Sequence, residues 1–154
     1  MYDFKGRHFA SFFFVHYYMP KRSTEIKKLD QALSKYVRFS NADVNGNVSC
    51  FTCQKKVDWK YECDCGHFQS RAKYSTRWLY DPENGLTNVQ PQCKHCNLTN
   101  GGQQWLFGKR LDAVYGEGTA MKILQISNTT RKFSTQEIIE LRKEYVQKFN
   151  DLHT

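Results

Sequence analysis

Apolar residues at Ile26, Leu29, Leu33 and Val37 recur at helical spacing, with Lys27, Lys28, Lys35 and Arg38 among the residues between them. That period predicts an amphipathic helix over 23–39 with one basic side. The same pattern returns near the C-terminus, where Ile138, Leu141, Tyr145, Phe149 and Leu152 share one face. This helix opens on Ser134-Thr135-Gln136-Glu137, a capping box in which Ser134 is the N-cap and Glu137 reaches back to it. Its apolar stripe reads as a core-packing face rather than a partner surface. Two shorter helices are expected from Gln103 to Tyr115 and from Gly118 to Ile126, separated by Gly116-Glu117-Gly118. Residues 40–47 form a loop by composition, and Asn45-Gly46 suits a tight turn. No glutamate closes this loop at the spacing a calcium site needs. From 48 to about 102 the pattern changes to short strand-like or irregular segments. Residues 1–22 have no clear period and read as an arm rich in aromatic and basic residues.

The apolar run Phe9–Met19 contains His16 and is too short for a membrane span, which needs about 20 residues. Met19-Pro20-Lys21-Arg22 follows it where a secretory signal would place small residues, so a cytoplasmic protein is expected. A chain of 154 residues forms one domain of ordinary size. Its 23 Lys and Arg against 15 Asp and Glu leave a formal charge of +8, which favours a polyanionic partner, and nucleic acid before a membrane surface.

Six cysteines in a reducing compartment point to metal-binding thiolates rather than disulfides. Cys50-x-x-Cys53 and Cys93-x-x-Cys96 are two knuckle pairs, and together they supply the four soft ligands of a closed tetrahedral zinc site. Cys63 and Cys65 read as structural thiols, with Cys65 an alternative ligand for a second site.

The segments Glu62-Cys63-Asp64-Cys65-Gly66-His67-Phe68 and Asn88-Val89-Gln90-Pro91-Gln92-Cys93-Lys94-His95-Cys96-Asn97 resemble the HNH nuclease motif. The resemblance implies an α+β fold, a small zinc-stapled ββα-metal core flanked by N- and C-terminal helices. It makes His67 the catalytic base, Asn88 the residue that orients it, and Asn97 a ligand of a catalytic Mg²⁺ or Mn²⁺. A neutral histidine held in one tautomer takes a proton from water, and a hard cation stabilises the charge developing at the phosphate. Gly66 stands where HNH enzymes usually place a ligand. Asp64 is then the nearest carboxylate, able to reach the metal if the strand bulges at Gly66. The competing assignment makes His67 a ligand in a purely structural Cys/His site and Asp64 a surface carboxylate. His95 reads as exposed or phosphate-contacting, and His8, His16 and His153 carry no motif. Trp59, Trp78 and Trp105 read as packing residues.

Asp-Cys-Gly-His-Phe at 64–68, Ser70-Arg71, Ser75-Thr76-Arg77-Trp78, the Gln92 to Asn97 knuckle, Leu106-Phe107-Gly108 and Tyr115-Gly116-Glu117-Gly118-Thr119-Ala120 together resemble the lambdoid phage NinG family, also called Rap. The resemblance covers the chain from about Lys27 to the C-terminus. It implies a phage recombination nuclease that cuts branched DNA, D-loops and Holliday junctions, in a host cytoplasm, with a homodimer expected. Lys55, Lys56, Lys60, Arg71, Lys73, Arg77 and Lys94 surround the motif, and Arg71, Lys73, Arg77 and Lys94 are the candidate phosphate contacts. On this reading 1–22 is the arm and 23–154 a single nuclease domain, with its helix over 23–39, metal core over 48–102 and helical part over 103–154. A non-catalytic zinc-ribbon DNA-binding adaptor explains the cysteines and the charge equally well, but needs neither Asn88 nor Asn97. An HNH nuclease of linear duplex would need a recognition element, which only the insertion 69–87 has room to conceal.

Overall fold

The computed structural model describes residues 20–153, so nearly all of the expected N-terminal arm, with the Phe9–Met19 run, His8 and His16, lies outside the described residues. Helix α1 spans Arg22–Ser40, one residue beyond the expected helix at each end. Its stripe Leu29, Leu33 and Val37 is fully buried, together with Ile138, Tyr145, Trp78 and Val89. Each such aliphatic side chain contributes roughly 1.5–3 kcal/mol on leaving water. The C-terminal helix α5, Thr135–Asp151, lies along α1 and closes this cluster. Its N-terminus carries the expected capping box: the Glu137 N–H donates to Ser134 Oγ at 3.1 Å and the Ser134 N–H to Glu137 Oε2 at 2.7 Å. Glu25 ties the two helices by its ion pair to Arg142 at 3.1 Å and also pairs with Lys28 of its own helix at 2.8 Å. The helix stops at Asp151, so Leu152 is left exposed instead of extending the stripe.

Between these helices the chain forms three small two-stranded sheets. Strands β1 (Asn47–Ser49) and β2 (Lys56–Asp58) make a hairpin whose connection carries Cys50 and Cys53. Strand β3 (Cys63–His67) then crosses the molecule. Helix α2 (Tyr74–Arg77) and the short ribbon of β4 (Tyr80–Asp81) with β5 (Leu86–Thr87) fill the insertion. A four-residue helix is too short to serve as a recognition helix, and no helix-turn-helix occurs among the described residues. Strand β6 (Val89–Cys93) returns antiparallel to β3, and the chain passes into a single π-helical turn, His95–Thr99. Two further helices follow, α3 (Gln104–Tyr115) and α4 (Thr119–Ser127).

The β3–β6 register corrects one expectation. Cys63 to His67 pair in unbroken sequence with Cys93 to Val89, so there is no bulge at Gly66. A Cβ at position 66 would collide with the side chain of Gln92, whose Nε2 donates to Gly102 O at 2.8 Å and to Thr52 Oγ1 at 3.2 Å. Gly66 is therefore set by a close side-chain crossing. Asp64 shares its strand face by the two-residue repeat of a strand and needs no bulge to take over its position.

Three of the knuckle cysteines, Cys50, Cys93 and Cys96, form a second cluster with Val48, Val57 and Cys63, and Phe51, Phe107, Leu111 and Ile123 form a third beneath α3 and α4. Three separate patches of this size bury little apolar area each, and a metal held at the middle one would compensate for that. Among the described residues no helix is long and apolar enough to cross a membrane.

Candidate functional site

The two knuckles meet as their spacing requires. The sulfurs of Cys50, Cys53, Cys93 and Cys96 all lie within 4.8 Å of one another. A tetrahedral centre with metal–sulfur bonds of about 2.3 Å has edges of about 3.8 Å, and the Cys53–Cys93 sulfurs are 3.9 Å apart. The donor set and its dimensions fit a metal such as zinc. Burial raises the Cys93 thiol and pushes that of Cys96 up to about 12, so these sulfurs ionise at neutral pH only against a cation. Cys63 and Cys65 stand outside the group. Burial pushes both thiols up to about 12.

Beside this cluster a cleft of about 420 Å³ opens, lined by Ser34, Asp64, Cys65, His67, Arg71 and Asn97 among others. Four of the sequence-derived candidates, Asp64, His67, Arg71 and Asn97, thus share one cavity. Asp64 projects from β3 and Asn97 from the π-helical turn, and the Asn97 amide donates to Asp64 Oδ2 at 3.0 Å. The π turn begins inside the second knuckle, at His95, and contains Cys96, so the four-cysteine cluster anchors the turn that carries Asn97.

His67 closes β3. Its Nε2 lies 3.1 Å from the carbonyl of Arg77, which can only accept, so Nε2 carries the proton and Nδ1 is the ring's acceptor. Burial lowers the ring to about 4, outweighing that hydrogen bond, and the imidazole is neutral at pH 7. Its own carbonyl accepts from Gln104 Nε2 at 3.2 Å, tying β3 to the start of α3.

The tautomer of His67 is set by a chain of contacts that begins on α1. Asp30 accepts from Arg77 Nε at 3.0 Å, Arg77 Nη2 at 2.6 Å and Trp78 Nε1 at 2.8 Å. Arg77 Nη1 donates to the carbonyl of Arg71 at 2.9 Å. The clamped Arg77 in turn offers its own carbonyl to His67. This corrects the expectation that Arg77 contacts phosphate: its side chain is 15% exposed and every guanidinium nitrogen is engaged internally.

Asn88 is wholly buried and does not touch the imidazole. Its side chain pairs with the backbone of Gln69, accepting from the N–H at 2.7 Å and donating to the carbonyl at 3.0 Å. Its backbone accepts from the Phe68 N–H at 2.8 Å and donates to Leu79 O at 2.8 Å. The residue expected to orient His67 therefore holds the two residues that follow it, and the ring itself is held by Arg77.

The family model described as Bacteriophage Lambda NinG protein matches residues 17–154, nearly the whole chain. The chain belongs to the NinG family. No curated protein and no solved structure matches it. The family match begins ten residues before Lys27, where the motif resemblance starts, and so reaches into the segment read as an arm.

In this NinG-family chain the other basic candidates are distributed around the cleft. Arg71 is exposed and lines it, as well as an adjoining groove of about 490 Å³ formed by Gln31, Lys35, Trp59 and Lys60 among others. Ser34 belongs to both cavities. Lys73 is exposed at the start of α2, and Lys94 is exposed within the second knuckle. His95 is also exposed and lies 3.1 Å from the Asn100 amide. Trp78 packs in the core and Trp59 is half-buried against Phe39, whereas Trp105 is 74% exposed, which corrects its reading as a packing residue. The NinG-family motifs gave no signal for Asp30 or Gln104, since both look like ordinary polar helix positions and their partners lie 47 and 37 residues away.

Proposed function

We propose that this NinG-family chain is a metal-dependent DNA endonuclease of the HNH, or ββα-metal, type, cleaving phosphodiester bonds in branched recombination intermediates such as D-loops and Holliday junctions. One observation carries the reading: a neutral histidine with a fixed tautomer shares a cleft with a carboxylate, a carboxamide and an arginine, beside a four-cysteine cluster. A zinc-ribbon adaptor has no use for a half-buried His67 whose tautomer is set by the Arg77 carbonyl. Branched DNA enters the proposal through the family, and the exposed basic residues around the cleft and groove suit a substrate with more than one phosphate backbone.

Asp64 and the amide oxygen of Asn97 are the hard donors that would hold Mg²⁺ or Mn²⁺. With one carboxylate among them, substrate phosphate oxygens and water would supply the remaining oxygen ligands. When bound, the cation supplies charge stabilisation at the phosphate and at the departing oxygen. His67 Nδ1 takes the proton from the attacking water, and the Arg77 carbonyl stabilises the imidazolium that results. Arg71 positions the phosphate at the mouth of the cleft. Asn88 and Gln104 hold the end of β3 so that the ring stays in line. Four zinc-bound thiolates do no chemistry here and serve to anchor the Asn97 turn.

Two results follow for His67 and its support. NMR titration is expected to leave the His67 ring neutral and its resonances stationary from pH 7 down to about 5.5, because burial lowers its pKa to about 4 from the usual 6.5. Movement centred near 6.5 would show a solvated ring with no fixed tautomer. Asp30→Asn keeps the size of the side chain but removes the charge that clamps Arg77. It is expected to lower kcat about tenfold with KM nearly unchanged, by loosening the ring rather than the substrate. A rise in KM at constant kcat would instead make Asp30 part of substrate binding.

A further inference from the structure

Two large apolar side chains that directly follow cleft-lining residues in the chain have no core to fill. Asn97, Gly101, Gly102 and Gln104 line the cleft. Leu98, the residue after Asn97, is 68% exposed, and Trp105, the residue after Gln104, is 74% exposed. Trp105 sits in the first turn of α3, whose position is tied to the site through the Gln104 to His67 hydrogen bond. The ammonium of Lys109 lies 4.9 Å from its ring centroid, over one face. A cation against an exposed indole, one residue from a side chain that lines the cleft and in a chain of net charge +8, is the composition of a surface that meets a base and its phosphate together.

We infer that Trp105, with Leu98 beside the other end of the same loop, is a stacking platform for a nucleobase adjacent to the phosphate in the cleft. The inference rests on the nuclease reading and adds a source of substrate choice to it. Within continuous duplex each base has both faces covered by its neighbours, so an aromatic ring gains a stacking partner only where the stack is interrupted. Branch points, flaps and unpaired positions provide that interruption. Lys109 supplies the charge for the adjoining phosphate, and cation–π attraction holds the indole in place between binding events. Trp105 therefore favours DNA whose stack is broken next to the bond to be cut.

The test uses the full zinc-loaded chain and two DNAs of the same sequence, a four-way junction with 2-aminopurine at the branch point and a linear duplex with 2-aminopurine at the same base. Without added Mg²⁺, the unaltered chain is expected to quench the branch-point fluorophore and to leave the duplex signal unchanged. Trp105→Ala is expected to abolish the quench and to weaken junction binding about tenfold, with duplex binding changed by less than about twofold. Trp105→Phe restores most of both. An undiminished quench in Trp105→Ala, or equal weakening on both DNAs, overturns the proposal. So does a change of Trp105→Ala from dimer to monomer in light scattering with DNA binding intact, which makes this surface a contact between copies. Cleavage on adding Mg²⁺ reports the nuclease reading separately. Quenching without any cutting leaves the platform standing and removes the nuclease, whereas cutting without a Trp105-dependent quench does the reverse. Absence of binding to either DNA removes both.

Discussion

His67→Ala is expected to abolish the proposed phosphodiester cleavage while the chain keeps its capacity to bind zinc and its fold. The expected loss is about 10²–10⁴-fold in kcat, the usual share of a positioned proton acceptor. His67 sits at the end of β3 and outside the four-cysteine group, so the substitution removes no sulfur ligand and no buried apolar contact of the main core. What it removes is the imidazole that lines the cleft, and the Arg77 carbonyl loses its partner. Metal content by mass spectrometry and DNA binding by anisotropy are expected to match the unaltered chain. Release of the structural metal by His67→Ala would overturn the catalytic assignment and restore the purely structural Cys/His site. His67→Gln separates the two roles further: it can keep a donor for the Arg77 carbonyl but provides no base, so it folds as well as the original and remains inactive.

Cys93→Ser has the second large effect, and it falls on the fold. Cys93 ends β6 opposite Cys63, its sulfur is in the four-cysteine group, and the Asn97 turn begins two residues later. A structural zinc site in a small finger contributes about 10–16 kcal/mol of apparent binding energy at neutral pH, comparable with the whole stability of an ordinary domain, about 5–15 kcal/mol. Replacing one thiolate by a hydroxyl leaves a buried group that binds zinc poorly. The expected outcome is loss of zinc and of cooperative thermal unfolding for the region between β1 and α3, followed by circular dichroism. The α1–α5 pair is expected to keep part of its helicity, because its cluster of Leu29, Leu33, Val37, Ile138 and Tyr145 contains no metal ligand. Chelation of the unaltered chain should reproduce this state, and zinc should reverse it. A Cys93→Ser protein with native melting and full zinc content would show that the four sulfurs do not form one site.

The helices were legible because their signals are local. Leu29, Leu33 and Val37 announce a face, and Ser134 with Glu137 announces a start. The metal cluster was legible because two short knuckles need only be brought together once. His67, Asp64 and Asn97 converge as their motif positions suggest. Their supports were not readable, since those are long-range hydrogen bonds made by residues of ordinary type. Asp30 joins Arg77 across 47 residues, and nothing near Asp30 marks it. The same blindness led to two corrections. Arg77 looks like a free cation until Asp30 is seen to hold it, and Trp105 looks like core until α3 is seen to turn it outward. Gly66 reads as a missing ligand in one dimension and as the crossing point of Gln92 in three.

The most direct measurement is cleavage of a labelled four-way junction beside linear duplex of the same sequence, with Mg²⁺ or Mn²⁺, by the unaltered chain and His67→Ala. The expected result is metal-dependent cutting of the junction that disappears in His67→Ala, with both proteins binding the DNA equally. Binding with no cutting under either cation would contradict the nuclease reading and leave a zinc-stapled DNA-binding adaptor in its place.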